Sequence, residues 1–214
     1  GERMTLVDDL GRLIQDDRAL LVLLDLVAAE RGRGTRIALP VTTTRVAEQV
    51  TQFHGAEIVW TTTSPHDLSH LAAQAGVAFA GDGRGGFVIP EFSSAMDALA
   101  AFTRLVGLVA RTQLSLSQID ARIPAAHVLR RSIPTTWARK GTVMRHVIES
   151  AGDRVIDLTE GVRVVEPEGA WAMVLPDPSE PLTHLWAEAP DAASAAALLN
   201  AWSQVVQSPS PGAG

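Results

Sequence analysis

Residues Trp171–Ala189 read WAMVLPDPSEPLTHLWAEA, and this stretch decides how the second half of the chain folds. Trp171 to Leu175 is an apolar run of strand length. The Pro176-Asp177-Pro178-Ser179-Glu180-Pro181 segment, with three prolines among polar residues, reads as a tight loop. Leu182 to Glu188 is a second strand, and the pair predicts two adjacent strands joined by that loop.

Working outward, the order after Pro124 is strand (127–132), helix (135–150), three further strands near 155–158, 162–165 and 171–175, the strand 182–188, and a last helix over 192–206. This is an α+β pattern, read as a four-stranded sheet with two helices. Upstream, strands at 36–39, 57–60, 77–80 and 87–89 alternate with helices at 44–53 and 65–75, which is α/β layering with a mixed sheet. Helices over 95–111 and 116–123 follow. The chain opens with a hairpin, 3–7 and 13–14 around the Gly-containing turn 8–12, and then the apolar run 19–29. Nearly every position from Leu20 to Leu24 is apolar, so that helix is expected to be buried on most of its surface.

With 214 residues, 46% hydrophobic and 20% charged, the chain has the composition of a soluble globular protein with a real core. No apolar run approaches the ~20 residues of a bilayer span, and the opening GERMTLVDD lacks the layout of a signal peptide, so the expected setting is cytoplasmic without a membrane partner. The absence of cysteine excludes disulfides and thiolate metal sites. A net charge of −6 without tyrosine or a basic cluster argues against a nucleic-acid partner. The single lysine, Lys140, beside an arginine-rich remainder reads as coding bias.

The 176–181 loop resembles the phosphate-gripping segment of the α-D-phosphohexomutases, Arg-Pro-Ser-Gly-Thr-Glu-Pro before a strand ending in Glu-Ala. Pro176, Glu180 and Pro181 keep their places. Leu175 stands where the arginine belongs, Asp177 where the serine belongs, and Ser179 where the threonine belongs. Leucine offers no donor fork to a phosphate, and a carboxylate repels one. Pro178 also removes a backbone N–H. The resemblance covers nearly the whole chain and corresponds to the C-terminal half of a four-domain mutase. It implies a remnant of the second domain at 1–33, a third domain at 34–124 and a C-terminal domain at 125–207. Residues 208–214, SPSPGAG, are expected to be a disordered tail.

The same resemblance makes Gly81–Gly86, GDGRGG, the sugar-recognition loop, with Gly81, Asp82 and Arg84 as candidate sugar contacts. Without the family, such a string is a flexible turn. His66, in TTTSPHDL, aligns with a loop that brings a lysine or histidine to the cleft; a solvated helix-start residue is the plainer reading. Ser179 is the candidate phosphate contact. GERMTLVD matches the end of the family's metal loop, with Glu2 for its third aspartate and Arg3 beside it, and one carboxylate does not make a magnesium site. Magnesium is expected in an intact family member and no metal in this fragment. No catalytic residue is assigned. The reading is a degenerate, non-catalytic phosphohexomutase-like module of a longer protein, in a mannose 1-phosphate or GDP-mannose pathway, in which the hexose phosphate grip is weak or lost. Its partners would be preceding domains of the parent, including a mannose-1-phosphate guanylyltransferase fusion. The alternative is the substrate-positioning half of an active mutase.

Overall fold

The computed structural model describes residues 1–208, so positions 209–214 of the expected tail lie outside the described residues. The chain divides into two compact units, Gly1–Ala125 and Ala126 onward.

The first unit opens with the antiparallel pair β1 (Leu6–Val7) and β2 (Leu13–Ile14). Asp8 shapes the connection, its carboxylate accepting the N–H groups of Leu10 and Arg12 and the Arg12 guanidinium. Helix α1 (Asp16–Arg31) comes next, with Leu20 to Leu24 at most 1% exposed. A helix apolar on every side must be enclosed. Here α2 (Val46–His54), α4 (Ala98–Thr112) and strand β5 (Val77–Gly81) enclose it.

The sheet of this unit has the order β4-β3-β5-β6, with β3 (Arg36–Pro40) parallel to β4 (Glu57–Thr61) and to β5, and β6 (Phe87–Val88) antiparallel to β5. From β3 the chain steps through α2 to one side; from β4 it returns through α3 (Pro65–Ala72) past β3 to the other. Right-handed crossovers in opposite directions put α2 and α3 on opposite faces. Leu68 and Ala72 of α3 pack on Ala38, Ala80 and Val88. Ile37 and Leu39, pointing the other way by strand alternation, are as fully buried, so both faces are covered. The loops after β3 and β4 therefore diverge at the carboxyl edge of the sheet, the place where α/β folds hold ligands.

Side-chain caps set several boundaries. Ser64 accepts the Asp67 N–H at the start of α3, and Asp97 accepts those of Leu99 and Ala100 at the start of α4. Ser115 and Gln118 form a reciprocal capping box on α5 (Leu116–Arg122).

The second unit contains β7 (Val128–Pro134), α6 (Trp137–Ala151), β8 (Val155–Asp157), β9 (Val162–Val165), β10 (Trp171–Pro176), β11 (Leu182–Glu188) and α7 (Ala192–Gln207). The strands form one antiparallel sheet ordered β7-β11-β10-β9-β8. It has five strands rather than the four-stranded sheet expected, because the segment read as a strand near 155–158, here the short β8 with Val155 69% exposed, joins it as an edge. Val143 and Val147 of α6 and Leu199 and Trp202 of α7 close the core over Val164, Val174 and Leu185. Among the described residues no helix is long and apolar enough to cross a membrane.

Candidate functional site

In the first unit the candidate loop Gly81–Gly86 leaves the carboxyl end of β5 and returns into β6. Gly81 is there because nothing larger fits: a Cβ would lie 2.4 Å from Leu20 Cδ1. Gly85 has a φ of +82°, and a Cβ would meet the Met4 carbonyl oxygen at 2.8 Å. Asp82 turns back on its own loop. Its Oδ1 accepts the N–H groups of Arg84 at 2.8 Å and Gly86 at 2.9 Å, while Oδ2 faces the Arg3 guanidinium at 2.9 Å. Arg3 also donates to the Arg84 carbonyl oxygen, and Met4 N–H to that of Gly85. Residues 3 and 4 thus brace the loop that carries Gly81, Asp82 and Arg84.

His66 is exposed in the first turn of α3, just beyond the carboxyl end of β4. β3 lies between β4 and β5, so at ~4.8 Å per strand the two loops sit roughly 10 Å apart along one sheet edge. The topology places His66 and Asp82 along this one edge. Thr62 and Ser64 fix the His66 loop, Thr62 donating to Asp67 at 2.6 Å and accepting the Ser64 N–H.

For magnesium the available residues do not fit. Glu2 is a single exposed carboxylate, Asp82 is engaged by two amides and a guanidinium, and among the described residues no group of three His, Cys, Asp or Glu side chains converges. An octahedral oxygen site needs more than that.

The second unit holds the loop between β10 and β11, and here the side chains form one connected set. Asp177 Oδ1 accepts the Ser179 N–H at 2.7 Å, the Glu180 N–H at 2.7 Å and the Ser179 hydroxyl at 3.0 Å. Its other oxygen, Oδ2, is 2.9 Å from His184 Nε2. The His184 side-chain bond, then the Ser179 amide, hold the Asp177 carboxyl far below the usual carboxylate range, more than offsetting the opposing effect of burial. A turn whose amides and hydroxyl converge on one point is a receptor for an anion. The anion it holds is its own Asp177. Ser179, the candidate phosphate contact, therefore directs both its donors inward.

Two further side chains complete the arrangement. Lys140, on α6, donates from Nζ to the carbonyl oxygens of Asp177 and Glu180 and rests 3.6 Å above the Trp137 ring. Its role is to hold the loop, which the reading of a lone lysine as coding bias overlooked. Ser132, on β7, lies directly across the sheet from His184, with its hydroxyl 2.8 Å from Nδ1. Neither His184 nor Ser132 belongs to a recognisable spacing; only the register of β7 against β11 pairs them.

The chain is similar to several known proteins. The profile described as phosphoglucomutase/phosphomannomutase, alpha/beta/alpha domain III, matches residues 15–126. A probable phosphoglucosamine mutase of Methanopyrus kandleri is 28% identical over 191 residues, 88% of this chain and 42% of that protein. The crystal structure of a phosphoglucomutase/phosphomannomutase family protein from Burkholderia thailandensis superimposes with a TM-score of 0.81 at 20% identity, over 100% of this chain and 46% of that one. An Aspergillus fumigatus N-acetylphosphoglucosamine mutase, solved with GlcNAc-6P and magnesium, gives 0.68 at 12% identity, over 96% and 47%. The chain spans less than half the length of these proteins.

Proposed function

The chain belongs to the phosphoglucomutase/phosphomannomutase family, and we propose that it acts as a mutase-derived module in hexose-phosphate metabolism that does not catalyse the mutase reaction, with the phosphate loop closed by its own carboxylate. The observation that carries this reading is the convergence of Ser179 N–H, Ser179 Oγ and Glu180 N–H on Asp177 Oδ1. An incoming phosphate would have to displace a charged group from four hydrogen bonds and then find leucine at position 175 instead of a guanidinium. Phosphoryl transfer depends almost wholly on positioning and charge stabilisation, so an anion loop in that state leaves little of the catalysis.

The names of the relatives support a hexose phosphate as the ligand class of the parent protein. They give no support to a guanylyltransferase fused to it or to mannose 1-phosphate in particular. A boundary near residue 33 between a second-domain remnant and the third domain remains part of the proposal.

Calorimetry on the 214-residue chain with glucose 1-phosphate, glucosamine 1-phosphate and mannose 1-phosphate tests the reading, together with a coupled mutase assay on the full parent protein. No binding heat at millimolar ligand and no turnover are expected. The ordered Gly81–Gly86 loop favours a second reading, the sugar-positioning half of a working enzyme. Micromolar binding lost in Ser179→Ala, or parent turnover lost in Asp82→Ala, would establish that reading instead.

A further inference from the structure

Within the second unit, Ser132, His184 and Asp177 form a single hydrogen-bonded line. Antiparallel pairing sets Ser132 opposite His184, and directly opposed residues on one face have Cβ atoms about 5 Å apart, close enough for a short side-chain bond. The hydroxyl of Ser132 is 2.8 Å from His184 Nδ1, and His184 Nε2 is 2.9 Å from Asp177 Oδ2.

The protons on this line are determined by its far end. Asp177 is ionised at neutral pH and can only accept. The proton of the neutral imidazole therefore sits on Nε2, leaving the Nδ1 lone pair for the Ser132 hydroxyl to donate to. That is the division of roles in a serine, base and orienting-carboxylate set, with the two ring nitrogens exchanged. The carboxylate is itself immobilised by the amides of Ser179 and Glu180, and Lys140 ties down the loop that carries it. The imidazole meets the Trp186 ring edge-on at 5.9 Å. The side chains of His184 and Asp177 are 27% and 19% exposed, whereas Ser132 is open to solvent, so the base is sheltered and the nucleophile is reachable.

We propose that Ser132 is a base-activated nucleophile that accepts an acyl group from small carboxylic esters, with His184 as general base and Asp177 as the residue that positions it. In the first step Ser132 Oγ forms a bond to the ester carbonyl carbon while its proton passes to His184 Nδ1. The ester C–O bond then breaks, and the alcohol leaves with that proton. Water, deprotonated by the same nitrogen, attacks the acyl-serine, releasing the carboxylic acid and restoring the serine hydroxyl. No external oxidant, metal or co-reactant is needed. General-base assistance of this kind accelerates attack by about 100-fold or more. The proposal goes beyond the family assignment and does not depend on whether hexose phosphates bind.

The test uses the 214-residue protein with two probes, a fluorophosphonate reagent and p-nitrophenyl acetate. Peptide mapping is expected to find the fluorophosphonate on Ser132, and the labelling rate to fall about 100-fold in His184→Gln. Ester hydrolysis should disappear in Ser132→Ala. Asp177→Asn should slow labelling and also shift the imidazole 15N resonances away from the Nε2-protonated pattern, a signature that a purely structural role would not produce. Circular dichroism identifies any variant that fails to fold, and His184→Gln and Ser132→Ala each suffice without Asp177→Asn. Labelling spread over many serines, equal labelling in folded His184→Gln, or an unlabelled Ser132 in the folded wild type would overturn the proposal. Hexose-phosphate calorimetry has no bearing on any of these readouts.

Discussion

Ser179 turns its backbone N–H and its hydroxyl onto one oxygen of Asp177, at 2.7 Å and 3.0 Å. Two residues apart in sequence, they make a closed receptor and its occupant. The aspartate that breaks the family wording therefore does more than repel a phosphate, because it satisfies the donors that a phosphate would use.

Replacing the occupant should reopen the receptor. Asp177→Ser removes the charge and restores a hydroxyl, leaving the amides of Ser179 and Glu180 and the Ser179 hydroxyl without their acceptor. With no guanidinium at position 175 the site stays weak, and a Kd of about 1 mM for inorganic phosphate, or about −4 kcal/mol, is expected where wild type shows no binding. Phosphorus NMR line broadening titrated against the protein measures it. Equal broadening by the two proteins would mean that Asp177 does not fill the loop.

Acid sensitivity follows from the same carboxylate, and its sign is fixed by the direction of the shift. The folded pKa of Asp177 lies below its ordinary 3.8, so as pH falls the unfolded chain takes up the proton first. The contribution of Asp177 to stability is complete above about pH 5 and drains away as the pH drops through about 4 and below. Asp177→Asn should unfold at lower urea than wild type at pH 7, with the gap narrowing steadily as the pH falls below about 4. Tryptophan fluorescence suits the measurement, since Trp137, Trp171, Trp186 and Trp202 all lie in the second unit.

Lys140 offers a separate handle on the loop. Lys140→Met keeps most of the packing over Trp137 while removing the ammonium bonds to the carbonyl oxygens of Asp177 and Glu180. Amide exchange at Asp177 and Leu182, whose N–H groups bond within the loop, should quicken by about five- to tenfold, as expected for losing about 1 kcal/mol of local stability. Unchanged exchange at both amides would show that the lysine holds nothing.

Much of the layout was visible from local pattern. The apolar run 20–24 announced a buried helix, and the spacing of apolar runs placed β3, β4, β5, β10 and β11 within a residue or so of their observed ends. The strand at β8 was read, but not its place in the sheet, since Val155 and Ile156 face solvent and give no sign of which neighbour they pair with. The loop wording pointed to Asp82 and Asp177 but not to what they touch. Arg3 reaches the Asp82 loop from some 80 residues away, Lys140 is 37 residues from Asp177, and Ser132 is 52 from His184. Such pairings depend on strand register and helix placement, which no short spacing encodes.

The glycines separate positions required by packing from positions that are merely tolerated. At Gly81, in the candidate sugar loop, an added methyl would lie 2.4 Å from Leu20 Cδ1 and 3.3 Å from Phe87 Cδ1, and Leu20 is itself locked in a helix with almost no exposure. Gly81→Ala should therefore cost about 1–3 kcal/mol through overpacking. Gly107 in α4 and Gly141 in α6 are exposed helical positions where an added methyl would meet nothing within 4 Å, and neither has a positive φ. Alanine there removes backbone freedom from the unfolded chain and should stabilise by about 0.5–1 kcal/mol each. Urea unfolding followed by circular dichroism reads all three. Opposite signs for Gly81→Ala and Gly107→Ala within the first unit are the expected result, and a neutral Gly81→Ala would mean that α1 does not press on the loop as described.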